Sequence, residues 1–205
     1  NLARFLVPLY WQLKGNSDGV NLFVGPTKKY GGRGIGWWAA SDYMLNQVWQ
    51  DSGNDMRNSE YNIIRDIVAD NPESAYYGQK IIESGSITEF SDPLKRWWSA
   101  IFAKSTPINN FPAEVGDNQA NSSYRDRYVM RLAETFLLRA EAHYLNGNLD
   151  AAADDINEIR ERSMASPITS SDVTMEFILD ERARELFVEE NRLMTLMRTG
   201  TLVER

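Results

Sequence analysis

The feature that most constrains the fold is the stretch from Arg131 to Ser163, RLAETFLLRAEAHYLNGNLDAAADDINEIRERS. On each side of the Asn-Gly-Asn sequence the apolar residues recur at the spacing of an amphipathic helix. Gly147 ends the first helix, because glycine enters the left-handed conformation of a helix C-terminus without steric penalty. The sequence therefore predicts two antiparallel helices joined by a tight turn. Their predicted apolar faces are Leu132, Phe136, Leu137, Ala140 and Tyr144 in the first helix, and Leu149, Ala152, Ala153, Ile156 and Ile159 in the second.

Small residues in this stretch favour close packing of the two helices. The order of Ala140, Gly147 and Ala152 suits the tetratricopeptide pattern, a repeat of about 34 residues built from two helices. One such pair leaves a face uncovered, so we expect it to stack on a third helix, predicted from about Val173 to Arg192 with Asp172 as its cap. The predicted fold class is mainly α, with tetratricopeptide-like helix pairs (an α-α superhelix) and an irregular, loop-rich aromatic region.

The aromatic region precedes the helices. Of the 23 aromatic residues, 16 lie before residue 103, including all six tryptophans, whereas the regular helical periodicity begins only after residue 125. We therefore expect residues 1–125 to form an irregular ligand-binding region and residues 126–205 a helical scaffold, together part of one domain. A helix is predicted from Ser41 to about Gly53. The short apolar runs Phe5–Trp11 and Val20–Val24 are compatible with either strand or helix.

Composition narrows the function. The formal net charge is −7, and none of the 22 Lys and Arg residues form a run, which argues against nucleic acid as a partner. The absence of cysteine excludes thiolate metal sites and catalytic thiols within these residues. No apolar run reaches the roughly 18 residues of a membrane span. Because the chain begins at Asn1 without a signal-peptide pattern, we expect it to be an internal piece of a longer protein.

Aromatic residues beside polar, glycine-rich loops are typical of a sugar-binding surface. The apolar face of a sugar ring stacks on tryptophan or tyrosine, and its hydroxyls bond to polar side chains. Tyr30, Trp37 and Trp38 flank the glycine-rich sequence GGRGIG, whose backbone is free to approach a ligand or another chain closely, and they are the first candidates for ligand binding. For any one of them a place in the core is the simpler explanation. The second candidates are Tyr76, Tyr77, Trp97 and Trp98.

The sequence offers little material for catalysis. His143 is the only histidine, so neither a Ser-His-Asp triad nor a common zinc site is available. Glu181, Glu185 and Glu189 recur every four residues beside arginines, which indicates a solvated, ion-paired helix face rather than the carboxylate pair of a glycosidase. The acidic loop at residues 51–55 favours a solvated turn over a calcium site. We therefore expect no catalytic residue, no cofactor and no metal.

Two C-terminal segments together resemble a known family. MRLAETFLLRAEAHYLNGNLDAAADDINEIRERS, followed by FILDERARELFVEENRLMTLMRTGTLVER, is similar to the C-terminal part of the SusD/RagB family of outer-membrane nutrient-binding lipoproteins. Upstream, GRGIGWW, DMRNSEYNIIRDIVADNP and YYG also resemble that family, so the resemblance runs from about Gly34 to the last residue. It implies a mainly helical fold built on tetratricopeptide-type helix pairs, with loops and small strands forming a ligand-binding face.

The resemblance also implies a function. Members of the family lie on the outer face of the outer membrane, bind glycans or peptides, and deliver them to a TonB-dependent, SusC-like transporter without chemistry. Their membrane association depends on a lipid-bearing cysteine, which would lie outside this chain. We therefore expect non-catalytic binding of a glycan or another nutrient. Two alternatives remain: a protein-protein docking module without its own glycan site, and a glycan hydrolase.

Overall fold

The protein is mainly helical, as its sequence predicts. The computed structural model describes residues 2–87, 96–106, 116 and 128–203. Within these ranges most regular structure is α-helix or 3-10 turn, and β-structure is limited to one two-stranded sheet and two isolated bridges. No helix in the described part of the chain combines the length and the apolar composition needed to cross a membrane.

The chain divides into two compact units. We call the first the aromatic unit; it comprises Asn1–Ser41 and Ser59–Arg125. The second, the helical unit, comprises Asp42–Asn58 and Asp126–Arg205. The segment Asp42–Asn58 therefore belongs with the C-terminal helices, although its sequence position places it within the aromatic-rich region.

The aromatic unit contains short elements only. The apolar run at residues 5–11 includes the end of a helix and a 3-10 turn, and the run at residues 20–24 contributes one isolated bridge rather than a continuous strand. Two short antiparallel strands pair so that Ile63 lies opposite Phe102. The elements are α1 (Leu2–Leu6), 3-10 turns at Tyr10–Gln12 and Lys28–Tyr30, β1 (Ile63–Ile64), β2 (Ile101–Phe102), and bridges that join Lys14 to Asn21 and Val68 to Lys80.

Three aromatic rings form the centre of this unit's core. Tyr10, Phe23 and Tyr30 make T-shaped contacts with ring centroids 5.2–6.1 Å apart, a geometry that aromatic rings prefer. The Tyr10 hydroxyl accepts a hydrogen bond from the Thr27 amide at 2.7 Å, so the polar tip is satisfied inside the core. The surrounding buried residues are Val7, Leu13, Leu22, Ile67, Ala69, Ile81, Ile87, Trp98 and Ile101.

In the helical unit, the predicted helix pair and its turn are confirmed. The helices are α3 (Leu132–Leu145) and α4 (Leu149–Arg162). Gly147 has a φ of 75°, and its amide donates to the Tyr144 carbonyl at 3.0 Å. The Asn148 amide donates to the His143 carbonyl at 2.9 Å, which completes the two-bond pattern of a Schellman turn.

The buried face of α3 differs from the predicted one. Leu132, on the predicted apolar face, is 70% exposed, whereas Glu141, which is outside that face, is buried. Glu141 is buried because both its oxygens accept hydrogen bonds from the Arg198 guanidinium, which replace those from water. The predicted face of α4 is confirmed: Ala152, Ala153, Ile156 and Ile159 are buried, and Leu149 packs against them.

The third helix is shorter than predicted. It is α5 (Met175–Leu186), and its cap is Thr174, whose side chain accepts from the Phe177 amide at 3.0 Å. The prediction of Asp172 as the cap is wrong, because that carboxylate closes the preceding 3-10 turn instead, and hydrogen bonds from the Thr169 amide and hydroxyl hold the pKa of Asp172 below its ordinary value. Val188, with a φ of 63°, separates α5 from α6 (Arg192–Arg198).

The predicted helix at Ser41–Gly53 is also shorter. Its helical part is α2 (Asp42–Leu45), followed by a 3-10 turn at Gln47–Trp49 and a further one at Met56–Asn58. The Trp49 indole is buried and donates to the Met44 carbonyl at 2.8 Å. The Arg184 guanidinium of α5 donates to the Val48 carbonyl at 2.7 Å. These bonds explain why residues 42–58 belong to the helical unit.

Charged side chains are buried in the helical unit together with apolar ones. Glu181 of α5 is fully buried. Its carboxylate oxygens lie 2.8 Å from Arg57 and 2.9 Å from both Arg160 and Arg184. Burial acts to raise the pKa of Glu181, but the positive charges of Arg57, Arg184 and Arg160 outweigh it and hold the pKa below its ordinary value.

A second buried carboxylate extends this network. Glu185 lies 2.9 Å from Arg131, 2.6 Å from Arg162 and 3.1 Å from Arg57. Arg57 also contacts the buried Asp55 at 2.6 Å. The expected ion pairing of these glutamates is confirmed, but the expectation of a solvated face is wrong for Glu181 and Glu185, as is that of a fully solvated turn for Asp55. Arginine partners replace the water that each buried carboxylate gives up.

Candidate ligand-binding cleft

The aromatic unit carries an open cleft of about 470 Å³. Two tryptophans line it, together with an ammonium group and two side-chain amides. This combination provides apolar faces for stacking and polar groups for hydrogen bonding in one place. The lining residues are Trp11, Gln12, Lys14, Asn21, Val24, Gly25 and Trp97.

Backbone hydrogen bonds assemble the cleft from three separate segments. The Leu9 amide donates to the Arg96 carbonyl at 3.0 Å, which brings the segment before Trp97 against residues 9–11. The Leu22 amide donates to the Leu13 carbonyl at 2.8 Å, so residues 20–25 run beside residues 13–15. The cleft therefore depends on contacts between residues far apart in sequence.

Trp11 is the better anchored of the two tryptophans. It is partly buried and packs against the aromatic core. Its indole N–H points to the Gly34 carbonyl at 3.5 Å, and the Arg33 guanidinium lies 5.7 Å from the ring centroid, within cation-π range. Trp97, on the other wall, is 38% exposed. One tryptophan is thus fixed and the other presents more of its surface.

Trp37 and Trp38 form a separate exposed patch. They are 62% and 52% exposed, and their ring centroids lie 5.5 and 5.2 Å from that of Phe5. The Trp38 amide donates to the Phe5 carbonyl at 3.0 Å, so the patch is attached to α1. The structure keeps these two candidates on the surface but outside the lining of the cleft.

The glycine run before Trp37 approaches the protein's own backbone. A Cβ atom at Gly34 would lie 2.0 Å from the Val7 carbonyl oxygen, and one at Gly36 would lie 2.1 Å from the Arg96 carbonyl oxygen. The Gly36 amide donates to the Val7 carbonyl at 2.9 Å. The expected close approach exists, but its partner is this chain, because the run packs between α1 and the segment at residue 96.

Two of the predicted ligand-binding residues are buried. Tyr30 belongs to the core trio, and its hydroxyl donates to the Val68 carbonyl at 3.2 Å and accepts from the Val68 amide at 3.0 Å. Trp98 is buried in the same core, although its neighbour Trp97 lines the cleft. Neither Tyr30 nor Trp98 has a ring face available to a sugar. Burial of a large aromatic ring stabilises the folded state more than leaving that ring exposed would.

The YYG sequence lies away from the cleft lining. Tyr76 is half-buried against the core, and its hydroxyl is 2.8 Å from the Ser17 hydroxyl. Tyr77 is exposed. Of the seven nominated aromatics, the described structure therefore places Trp97 in the cleft, Trp37 and Trp38 in a patch, and Tyr77 alone on the surface.

Sequence analysis missed the other residues of the cleft. Trp11 lies in an apolar run that predicts only a strand or a helix. Lys14 and Asn21 belong to no recognisable motif. The available signal was the alternation of exposed Gln12 and Lys14 around buried Leu13, which is the period of an extended segment with one open face. The pairing of Lys14 with Asn21 was not visible in that pattern.

Groups suited to catalysis or metal binding are not gathered here. Among the described residues, no group of three or more His, Cys, Asp or Glu side chains could hold a metal ion. His143 is half-buried in the last turn of α3. The carboxylates of Glu181 and Glu185 are occupied by arginines. The residues that line the cleft supply indole faces for stacking and polar groups for hydrogen bonding.

A mainly helical protein with an open, tryptophan-lined cleft has the features of a ligand-binding protein. Comparison with known families gives a more specific result. The profile of the SusD family matches residues 102–204, which is half of the chain, so the chain belongs to the SusD family. The match begins after the residues that line the cleft, and the cleft is therefore defined by geometry alone.

One curated relative supports the same assignment. Over 127 residues, the chain is 32% identical to the starch-binding protein SusD of Bacteroides thetaiotaomicron. The alignment covers 60% of this chain and 20% of that protein. The chain thus corresponds to about a fifth of the length of this relative.

Proposed function

We propose that this chain provides a non-catalytic glycan-binding surface and that the cleft between Trp11 and Trp97 is its ligand site. The observation that carries the proposal is the concave arrangement of two indole rings around Lys14 and Asn21. Its volume of about 470 Å³ lies within the roughly 300–1,000 Å³ of small-molecule sites in proteins. A segment of one or two sugar rings fits such a space.

The division of roles within the cleft follows from the chemistry of sugars. A pyranose ring has an apolar face of C–H groups that stacks on an indole, and hydroxyls that need hydrogen-bond partners. Trp11 and Trp97 supply the stacking surfaces, and Gln12, Lys14 and Asn21 supply the polar groups. Binding requires none of the activated nucleophiles or acid-base pairs of a hydrolase.

Membership of the SusD family supports a wider role. We infer a place on the outer face of the outer membrane, held by a lipid anchor outside this chain, with delivery of the glycan to a SusC-like TonB-dependent transporter. The helical unit would serve as a tetratricopeptide-like scaffold. In support, Ala140 and Ala152 are both fully buried, as close helix packing in such repeats requires.

The test is calorimetric titration of the chain with starch fragments and with plant and host glycans. We expect saturable binding of at least one class, weakened about tenfold or more in Trp97→Ala, because a lost stacking surface costs on the order of 1.4 kcal/mol. The matched control is Trp37→Ala, which removes another exposed tryptophan of the same unit outside the cleft.

Each other outcome has a definite meaning. If Trp37→Ala abolishes binding and Trp97→Ala does not, the site is the Trp37–Trp38 patch and the cleft assignment is wrong. If the folded chain binds no glycan but associates with a SusC-like transporter, it is a docking module. Release of sugar products that stops after a single Asp or Glu substitution would establish a hydrolase.

A further inference from the structure

The charges around the cleft suggest which glycans it selects. The chain as a whole has a formal net charge of −7, yet among the described residues that line the cleft Lys14 is the one ionised side chain, and none of them is a carboxylate. Lys14 is exposed, and its ammonium forms no ion pair within the part of the chain that the structure describes. The described lining thus carries one positive charge in an acidic protein.

The bridge between Lys14 and Asn21 places a side-chain amide beside the Lys14 side chain. Residues paired directly across an antiparallel bridge project their side chains to the same side. The side chains of Lys14 and Asn21, both exposed, therefore project to the same side at the cleft wall. Both groups donate hydrogen bonds, and two adjacent donors suit the two oxygens of a carboxylate or sulfate.

A second positive group lies beside one of the lining tryptophans. The Arg33 guanidinium is 5.7 Å from the centroid of the Trp11 ring and is itself exposed. A guanidinium above an indole keeps its charge and its N–H donors available to an anion. An anionic sugar bound beside Trp11 would therefore have a second positive group near it.

The acidic side chains of the same segments are held by backbone amides. Asp70 accepts a hydrogen bond from the Val24 amide at 2.9 Å. Asp18 accepts from the Ala75 amide at 2.8 Å and from the Val20 amide at 3.0 Å. These bonds hold the pKa of Asp18 below its ordinary value. Neither carboxylate is among the lining residues, and each accepts hydrogen bonds from backbone amides of its own unit.

We propose that the cleft selects glycans with negatively charged sugar residues, bearing a carboxylate or a sulfate, over neutral glycans, and that Lys14 is the residue that determines this specificity. The inference rests on the proposed function of the cleft. It goes further because it names the class of sugar and the side chain that recognises its charge.

The experiment compares glycans that differ in charge alone. One arm uses polygalacturonate oligosaccharides and their fully methyl-esterified, neutral form; the other uses sulfated dextran oligosaccharides and the same oligosaccharides without sulfate, which are neutral; starch fragments serve as a further neutral reference. We expect at least one acidic ligand to bind about tenfold or more tightly than its neutral partner, because a hydrogen bond to a charged group is stronger than a neutral one. Added salt should reduce this preference.

Variants assign the preference to Lys14. Lys14→Gln is expected to lower affinity for the acidic ligand to that of its neutral partner and to leave the neutral ligand unaffected. The control Lys80→Gln removes the same charge from an exposed lysine of the same unit outside the cleft lining, and it should change neither affinity. Circular dichroism confirms that each variant is folded.

The outcomes separate the two proposals. Equal affinity for charged and neutral partners would overturn the selectivity, and a preference that survives in Lys14→Gln would overturn its assignment to Lys14; in both cases glycan binding itself stands. Binding to no glycan of either kind by the folded chain would overturn the proposed function and the selectivity with it. A preference for the carboxylate arm alone or the sulfate arm alone supports the proposal and identifies the group recognised.

Discussion

The aromatic unit and the helical unit are stabilised by different means. The aromatic unit has short elements and is held by edge-to-face ring contacts and backbone hydrogen bonds between distant loops, with Tyr10, Phe23 and Tyr30 at its centre. The helical unit has long helices and buries carboxylates such as Glu181 among arginines. Irregular backbone thus coincides with aromatic packing, and regular backbone with buried ion pairs.

This difference bears on which surface is free to bind ligand. In the helical unit, the arginines around Glu181 and Glu185 are committed to internal ion pairs. In the aromatic unit, indole rings pack on one side and leave another open, because a large ring contributes to a core without being fully enclosed. Trp11 illustrates this, since it contacts the core and also lines the cleft.

Among substitutions that test how the two units are stabilised, Glu181→Gln is expected to have the largest effect. Removal of the buried negative charge leaves Arg57, Arg160 and Arg184 without their shared partner, so we expect the free energy of unfolding to fall by about 3–5 kcal/mol. Denaturant unfolding followed by far-ultraviolet circular dichroism measures the loss. The control is Glu158→Gln on the exposed side of α4, expected to change stability by less than about 0.5 kcal/mol. Equal effects of the two substitutions would show that the network does not stabilise the helical unit.

The corresponding test of the aromatic unit is Gly36→Ala. The new Cβ atom would lie 2.1 Å from the Arg96 carbonyl oxygen, so we expect a loss of about 3 kcal/mol from overpacking and backbone strain. Gly85→Ala is the matched control, because Gly85 has a similar φ of 64° but no atom within 4 Å of the added carbon. It should cost about 1 kcal/mol. Hydrogen exchange of residues 4–9 reports the local effect, and similar exchange in both variants would contradict the close contact.

A smaller effect is expected for Tyr30→Phe. The substitution keeps the ring in the core but removes the hydroxyl that bonds to both backbone groups of Val68, so we expect a loss of about 1–2 kcal/mol. The exposed Tyr61→Phe serves as the control. Glycan affinity should be unchanged in Tyr30→Phe. A loss of glycan affinity without a loss of stability would show that Tyr30 takes part in ligand binding.

The smallest effect is the response of the helical unit to mild acid. The pKa of Glu181 is lower in the folded state than its unfolded value of about 4.3, so its contribution to stability is complete above that value. As the pH falls from there toward the folded pKa, we expect a loss of about 1.4 kcal/mol per pH unit from this group. Hydrogen exchange of α5 at several pH values measures it, and the slope should be shallower in Glu181→Gln. An identical slope in that variant would mean that other groups govern the acid response.

Sequence periodicity predicted the helical unit well where burial was apolar. The face of α4 and the turn at Gly147 follow from the spacing of side chains and from the conformation of glycine. The hydrophobic pattern did not predict burial where the buried side chain is charged, as at Glu141. A carboxylate is polar in sequence whether its hydrogen bonds come from water or from Arg198. The partner is far away in the chain and no local rule supplies it.

The cleft was only partly predictable for a related reason. Trp97 was nominated on chemistry, but its neighbour Trp98 faces the core, and the two cannot be distinguished without knowing which side the segment presents. Lys14 and Asn21 become adjacent through a single bridge with no strand pattern around it. The glycines at positions 34 and 36 were recognised as sites of close approach, whereas the partner backbone was not evident.

The division of the helical unit along the chain has a consequence for folding during synthesis. Arg57 pairs with Glu185, 128 positions later, and the intervening sequence includes the aromatic unit's residues 59–125. A ribosome releases the segment 42–58 before α5 is synthesised, so the Val48 carbonyl cannot receive its hydrogen bond from Arg184 until α5 emerges. This contact of high sequence separation makes completion of the helical unit a late event and gives a chaperone a defined period in which to protect the waiting segment.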